Sequence, residues 1–126
     1  MMKHTILILF LFLSLLCHGQ SYKFFTTDRE LSSSLINKIY QDRNGMIWIA
    51  TEDGLNRYDG AKFITYKHDP ENEYSLCHNY VRVLYEDSKG RLFVGTYNGI
   101  QLYDPETDSF SARAQWEDGK TFDSNI

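Results

Sequence analysis

The sequence predicts an all-β fold of about two four-stranded antiparallel sheets, and three observations predict it. Residues 36–59 lie on residues 81–104 without a gap, with seven identities in 24 positions. Three turn signatures recur at the same offsets in both copies. The segments between the turns are about five residues long, apolar, and rich in β-branched and aromatic side chains, which suits strands.

The identities are Tyr40/Tyr85, Asp42/Asp87, Gly45/Gly90, Thr51/Thr96, Gly54/Gly99, Tyr58/Tyr103 and Asp59/Asp104. A period near 45 residues marks a repeat architecture. Asp42-x-x-Gly45 and Asp87-x-x-Gly90 place Asp first and Gly fourth in a type I turn, with the Gly free to take a positive φ. Asp53-Gly54 and Asn98-Gly99 read as two-residue hairpin pairs. Asp59-Gly60 and Asp104-Pro105 make the third turn. Between them run "INKIYQ", "MIWIAT", "LNRYD" and "FITYK". Leu31, Leu35, Ile36 and Ile39, like Leu76, Tyr80, Val81 and Leu84, also fit a helical period. The strand reading prevails because "YVRVLY" is β-branched and aromatic, and each run ends directly in a hairpin turn.

The second strand, Met46 to Ala50, is apolar on both faces, whereas a strand with one solvated face alternates. Its sheet is therefore covered on both sides. Radially stacked sheets achieve this, each blade of a β-propeller packing on its neighbours. Ala50 and Gly95 are expected to be small because blades crowd together. A propeller closes with roughly four to eight blades, so about two blades make an incomplete ring.

"IYQDRNGMIWIATEDGLNRYDGAKFITY" resembles the two-component regulator propeller repeat. Asp42, Gly45, Trp48, Thr51, Gly54, Leu55, Tyr58, Asp59 and Gly60 fill the repeat's positions in the first copy. Asp87, Gly90, Thr96, Gly99, Tyr103 and Asp104 do so in the second. Ala50 departs from the usual Gly, Phe93 from Trp and Pro105 from Gly. The resemblance covers roughly residues 22 to 110. It implies the exported sensor region of a Bacteroides-type hybrid two-component histidine kinase, responding to oligosaccharides. It further implies that the remaining blades lie in a longer, membrane-anchored sensor, with a homodimer as one arrangement of that sensor. The alternatives are an exported propeller-frame hydrolase or lyase, a protein-interaction scaffold, and a short exported protein that assembles with other chains.

Lys3 and His4 followed by the apolar run Ile6 to Leu16 read as a secretory signal, too short for a typical membrane helix of roughly 20 residues. Cleavage is expected after Gly19, with lipoprotein processing before Cys17 as the rival. The expected organisation is 1–19 signal peptide, 20–32 closing strand and linker, 33–70 first blade, 71–114 second blade and 115–126 the start of a third repeat. "YKFF" (Tyr22 to Phe25) is read as the outer strand of the ring's last blade.

The net charge of −4 becomes −5 when Lys3 leaves, and the signs are mixed along the chain. No basic block points to nucleic acid, and no basic amphipathic segment points to a membrane surface. Cys77 is left as a lone structural thiol. Asp42, Asp53, Asp59, Asp87 and Asp104 all sit at turns, where Asp binds local backbone, so no catalytic pair is expected. His68 and His78 lack metal spacing, and neither a metal nor a cofactor is expected. Trp48 and Phe93 are expected in the core. Ligand contacts in propellers come from one rim, which nominates Glu52, Asp53, Tyr74, Tyr97 and Asn98.

Overall fold

Eight strands run in sequence order in this computed structural model, which describes residues 2–4, 6, 19–27 and 30–111. The first sheet holds β1 (Ile36–Gln41), β2 (Ile47–Thr51), β3 (Gly54–Tyr58) and β4 (Phe63–Tyr66). The second holds β5 (Val81–Glu86), β6 (Leu92–Thr96), β7 (Gly99–Asp104) and β8 (Ser109–Phe110). Each sheet is an antiparallel meander in the order of the chain. The all-β expectation holds, and the helical reading of residues 31 to 41 does not.

The turns explain the meander. Asp42 Oδ1 accepts the backbone N–H of Asn44 and of Met46, which folds the chain back from β1 into β2. Asp87 Oδ1 does the same for Lys89 and Arg91. Gly45 and Gly90 take φ of 84° and 80°, a region that non-glycine residues rarely enter. The β2–β3 hairpin differs from expectation. Thr51 pairs with Gly54, so the two turn residues are Glu52 and Asp53, and Gly54 opens β3. Thr51 sets this register: its Oγ1 accepts the Asp53 N–H and donates to the Gly54 carbonyl. Thr96, Asn98 and Gly99 repeat the arrangement.

The sheets stack face to face. Trp48, Ala50 and Leu55 of the first join Val81, Leu84, Leu92, Val94, Tyr103 and Phe110 of the second in one buried cluster, with Leu76 of the connecting segment. Burying each large side chain contributes about 1.5–3 kcal/mol. The Trp48 ring meets Tyr103 edge-on at 4.7 Å. Around it, Arg57 lies over the rings of Trp48, Tyr66 and Tyr103 and donates to the Tyr103 hydroxyl and to Asp108 Oδ1. Tyr66 and Tyr103 both donate to Asp108 as well. Asp108 is buried enough to raise its pKa, yet these donors and the Arg57 charge hold it below the usual carboxylate range. Also across the seam, Arg43 of the β1–β2 turn pairs with Glu86 of β5 at 2.7 Å, and Asn37 Nδ2 of β1 donates to the Val81 carbonyl.

Two expectations need correction. Leu92 is buried in the seam, while its counterpart Ile47 faces away from it. Equivalent positions point the same way round the repeat, so one lies inside the seam and the other outside. For the same reason Trp48 is fully buried, whereas Phe93 is only half-buried. Ala50 is crowded by the seam as expected. Gly95 is crowded within its own sheet: a Cβ there would come within 3.2 Å of Val83 Cβ. The expected signal core and the 115–126 segment lie outside the described residues.

Candidate functional site

Antiparallel meanders bring alternate turns to the same end of a sheet. The Glu52–Asp53 and Tyr97–Asn98 turns therefore share one rim with the segment 67–80 that links the two sheets. In each sheet a buried carboxamide fastens the chain that leads into the first strand, the linker in the case of the second sheet. Gln101 Oε1 accepts the Cys77 N–H, while its Nε2 donates to the carbonyls of Ser75 and Ser111. Asn56 plays the corresponding role for Ser32, through its Oδ1 and Nδ2. Buried polar groups must be paired, and these two convert that need into a fixed approach of the chain to each rim.

Glu52 and Tyr97 are brought together through a residue the sequence reading did not nominate. Tyr80 donates its hydroxyl to Glu52 Oε1 at 3.1 Å, and its ring lies 4.4 Å from that of Tyr97. His78 meets Tyr97 edge-on at 5.8 Å, and the Arg82 guanidinium lies over the Tyr97 ring at 5.6 Å. The hydrogen bond to Glu52 raises the Tyr80 pKa, with burial adding to it, so the hydroxyl stays protonated. Asn98 is tied back by donation from its Nδ2 to the Cys77 carbonyl. Asp53 is engaged by Lys67 at 2.8 Å, both side chains being exposed. Tyr74 does not join the group. Its carbonyl accepts the Phe110 N–H, which places it against β8.

The cluster is a half-exposed aromatic platform with a guanidinium, an imidazole and a carboxylate at its edges. Such a surface suits stacking and hydrogen bonding of a polar ligand. The sequence did carry a trace of Tyr80. Glu52/Tyr97 and Leu35/Tyr80 are positions where the two copies differ in chemical type, so the shared fold does not dictate them. Among the described residues, no group of three or more His, Cys, Asp or Glu side chains could hold a metal ion. His68 Nδ1 is 2.7 Å from the Leu76 carbonyl and His78 Nδ1 accepts the Tyr80 N–H, both local structural bonds.

Residues 30–53 and 75–98 match the family described as the two component regulator propeller, 45 residues apart like the two sheets. These two segments match the two-component regulator propeller repeat. The chain is 40% identical over 73 residues to histidine kinase P4 of Formosa agariphila, a match that takes in 55% of this chain and 5% of that protein. The fold resembles the extracellular domain assigned to the hybrid two-component system BT3049 of B. thetaiotaomicron, with a TM-score of 0.66 and 32% identity. That likeness covers 79% of this chain and 14% of the solved one. The extracellular domain assigned to the one-component system BT4673 of B. thetaiotaomicron is similar at a TM-score of 0.59 and 25% identity, over 73% of this chain and 13% of that one. The chain thus spans a small part of the length of the relatives it matches. Among its described residues no helix is long and apolar enough to cross a membrane.

Proposed function

We propose that this regulator propeller segment contributes to an exported, ligand-sensing propeller of a two-component system, and that its ligand is an oligosaccharide. The observation that carries the reading is the rim cluster of Tyr97, Tyr80, Arg82 and Glu52, set on a repeat shared with extracellular domains of such systems. Aromatic faces flanked by charged hydrogen-bonding groups recognise sugar rings by stacking and by their hydroxyls. Export is supported by Lys3 and His4 ahead of the apolar run from Ile6. Further blades, a membrane anchor and the kinase belong to the rest of the sensor, so no reaction is assigned to this segment.

Calorimetric titration of the sensor with a panel of neutral and acidic oligosaccharides tests this. Saturable binding without turnover is expected, weakened at least about tenfold by Tyr97→Ala, the loss of one stacking contact. Turnover would contradict the assignment as a non-enzymatic segment. Binding that Tyr97→Ala leaves unchanged would move the site elsewhere.

A further inference from the structure

The chain enters the first strand of each sheet through the same local bond, made with different chemistry in the two copies. Ser33 Oγ accepts the Leu35 N–H at 3.1 Å. At the equivalent position, His78 Nδ1 accepts the Tyr80 N–H at 2.9 Å. A hydroxyl and an imidazole both supply the acceptor this place uses. Only the imidazole can lose it. A proton on Nδ1 takes up the lone pair, and a charged imidazole is a donor at both nitrogens, so the Tyr80 N–H is then left facing another N–H. His68 is different: its Nδ1 faces the Leu76 carbonyl, which can only accept, so that bond survives protonation.

Tyr80 is the residue on which the rim cluster is assembled. Its carbonyl accepts the Tyr97 N–H, as the Leu35 carbonyl accepts that of Glu52. Its hydroxyl donates to Glu52 Oε1 in the other sheet, and its ring lies against Tyr97. All of these contacts lie within or between the two sheets. The half-buried His78 ring meets Tyr97 edge-on. The titratable groups against it are Tyr80 of its own segment and Tyr97 of the β6–β7 turn. The charges beyond them are Arg82 of β5, over the Tyr97 ring, and Glu52 of the β2–β3 turn, bonded to the Tyr80 hydroxyl.

We propose that His78 is a proton-operated latch on the rim: neutral, it holds Tyr80 against Glu52 and Tyr97, and on acidification it releases Tyr80 and weakens ligand binding there. The effect on the ligand rests on the sensing role proposed above; the latch itself does not. Imidazole side chains change charge between about pH 5 and 8. The latched arrangement excludes the proton and the released one takes it up, so acidification favours release and rising pH restores the latch. Leu76 and Val81, on either side of the segment, are buried in the core, which confines the change to the residues between them.

Nuclear magnetic resonance of the isotope-labelled full chain, titrated from about pH 8 to 5, tests the latch without a ligand. The Tyr80 amide proton is expected to shift upfield and to lose protection from exchange along the titration curve of His78. The Leu35 amide, held by a hydroxyl, is expected to stay unchanged in the same spectra. His78→Ser gives the second copy the acceptor of the first and is expected to fix the Tyr80 amide through the titration. His78→Ala, which has no acceptor, is expected to show the released amide at every pH. A Tyr80 amide that ignores the titration of His78, or that moves equally in His78→Ser, overturns the proposal.

Calorimetry with the same panel of neutral and acidic oligosaccharides, at about pH 7.5 and 5.5, reads the consequence. For a sugar that binds, affinity is expected to fall about fivefold at the lower pH, the worth of one ordinary hydrogen bond. The fall is expected to be absent in His78→Ser, whatever that variant's own affinity. An affinity that does not fall in the wild type, or that falls equally in His78→Ser, overturns the control of the site by His78. Binding of no sugar at either pH overturns the sensing role, and the amide titration still decides the latch.

Discussion

Cys77 occupies in the second repeat the place that Ser32 occupies in the first. Cys77 Sγ lies 3.0 Å from Thr96 Oγ1 and Ser32 Oγ lies 3.0 Å from Thr51 Oγ1, and both backbone N–H groups donate to a buried carboxamide. The thiol therefore serves as a hydroxyl substitute on the chain's approach to the rim. Cys77→Ser is expected to be nearly neutral, within about 0.5 kcal/mol in denaturant unfolding. Gln101→Ala removes the partner of three backbone groups and is expected to cost about 2 to 4 kcal/mol.

That equivalence shows where the sequence is legible. The sheets were readable because each turn is local: Asp42 and Asp87 bind amides within four residues, and their spacing to Gly records the geometry. Ser32 and Cys77 share no residue type, so the repeat looks shorter than it is. Arg57, Tyr103 and Asp108 meet across the seam from distant positions, and the counterparts of Arg57 and Asp108 are Leu102 and Phe63, so periodicity hides them. The rim was legible as turns, but not its assembly through Tyr80, which depends on how one sheet is rotated against the next.

Gly54 and Gly99 hold the same backbone conformation, φ of 125° and 127°, in different surroundings. A Cβ on Gly54 would come within 2.9 Å of the Tyr66 carbonyl oxygen, while one on Gly99 meets nothing within 4 Å. Gly99→Ala is expected to cost about 1–3 kcal/mol from backbone strain alone. Gly54→Ala should cost clearly more, because it adds a backbone clash. Equal thermal midpoints for the two variants would contradict this.

Trp48 donates its indole N–H to Asp42 Oδ2 at 2.8 Å. In the second repeat Phe93 has no donor, and Arg91, the counterpart of Met46, supplies one to Asp87 Oδ2 at 2.6 Å. Arg91→Met should lower the thermal midpoint by leaving that oxygen without its side-chain donor. Adding Phe93→Trp should restore it, since the indole then reaches the same atom. A double variant no more stable than Arg91→Met would show that the two donors are not interchangeable.

Stability should fall at both extremes of pH. Backbone donors hold Asp59, Asp87 and Asp104 below their usual range: Lys62 and Ala61 amides for the first, the Arg91 amide for the second, and the Glu106 amide, then the Thr107 hydroxyl, for the third. Their contribution is present above the unfolded value of about 3.9 and is lost as pH falls through the lower folded values. Burial, then the bond to Asp108, pushes Tyr103 up to about 12 and raises Tyr66 by the same two causes. Their contribution is complete below about pH 10 and is lost as pH rises through the folded values. Thermal midpoints measured across pH should show a plateau from about pH 5 to 9; a steady trend through that range would contradict the assignments.

The central claim is that two copies of one repeat stack as consecutive blades, with Trp48 seated on Tyr103. A double-mutant cycle of Trp48→Ala and Tyr103→Ala in denaturant unfolding tests it most directly. Each single variant is expected to lose about 3–5 kcal/mol. The pair should lose less than the sum by about 0.5–1.5 kcal/mol, the coupling of an aromatic contact. Strictly additive losses would mean that the rings do not touch, and that the sheets do not stack through these faces.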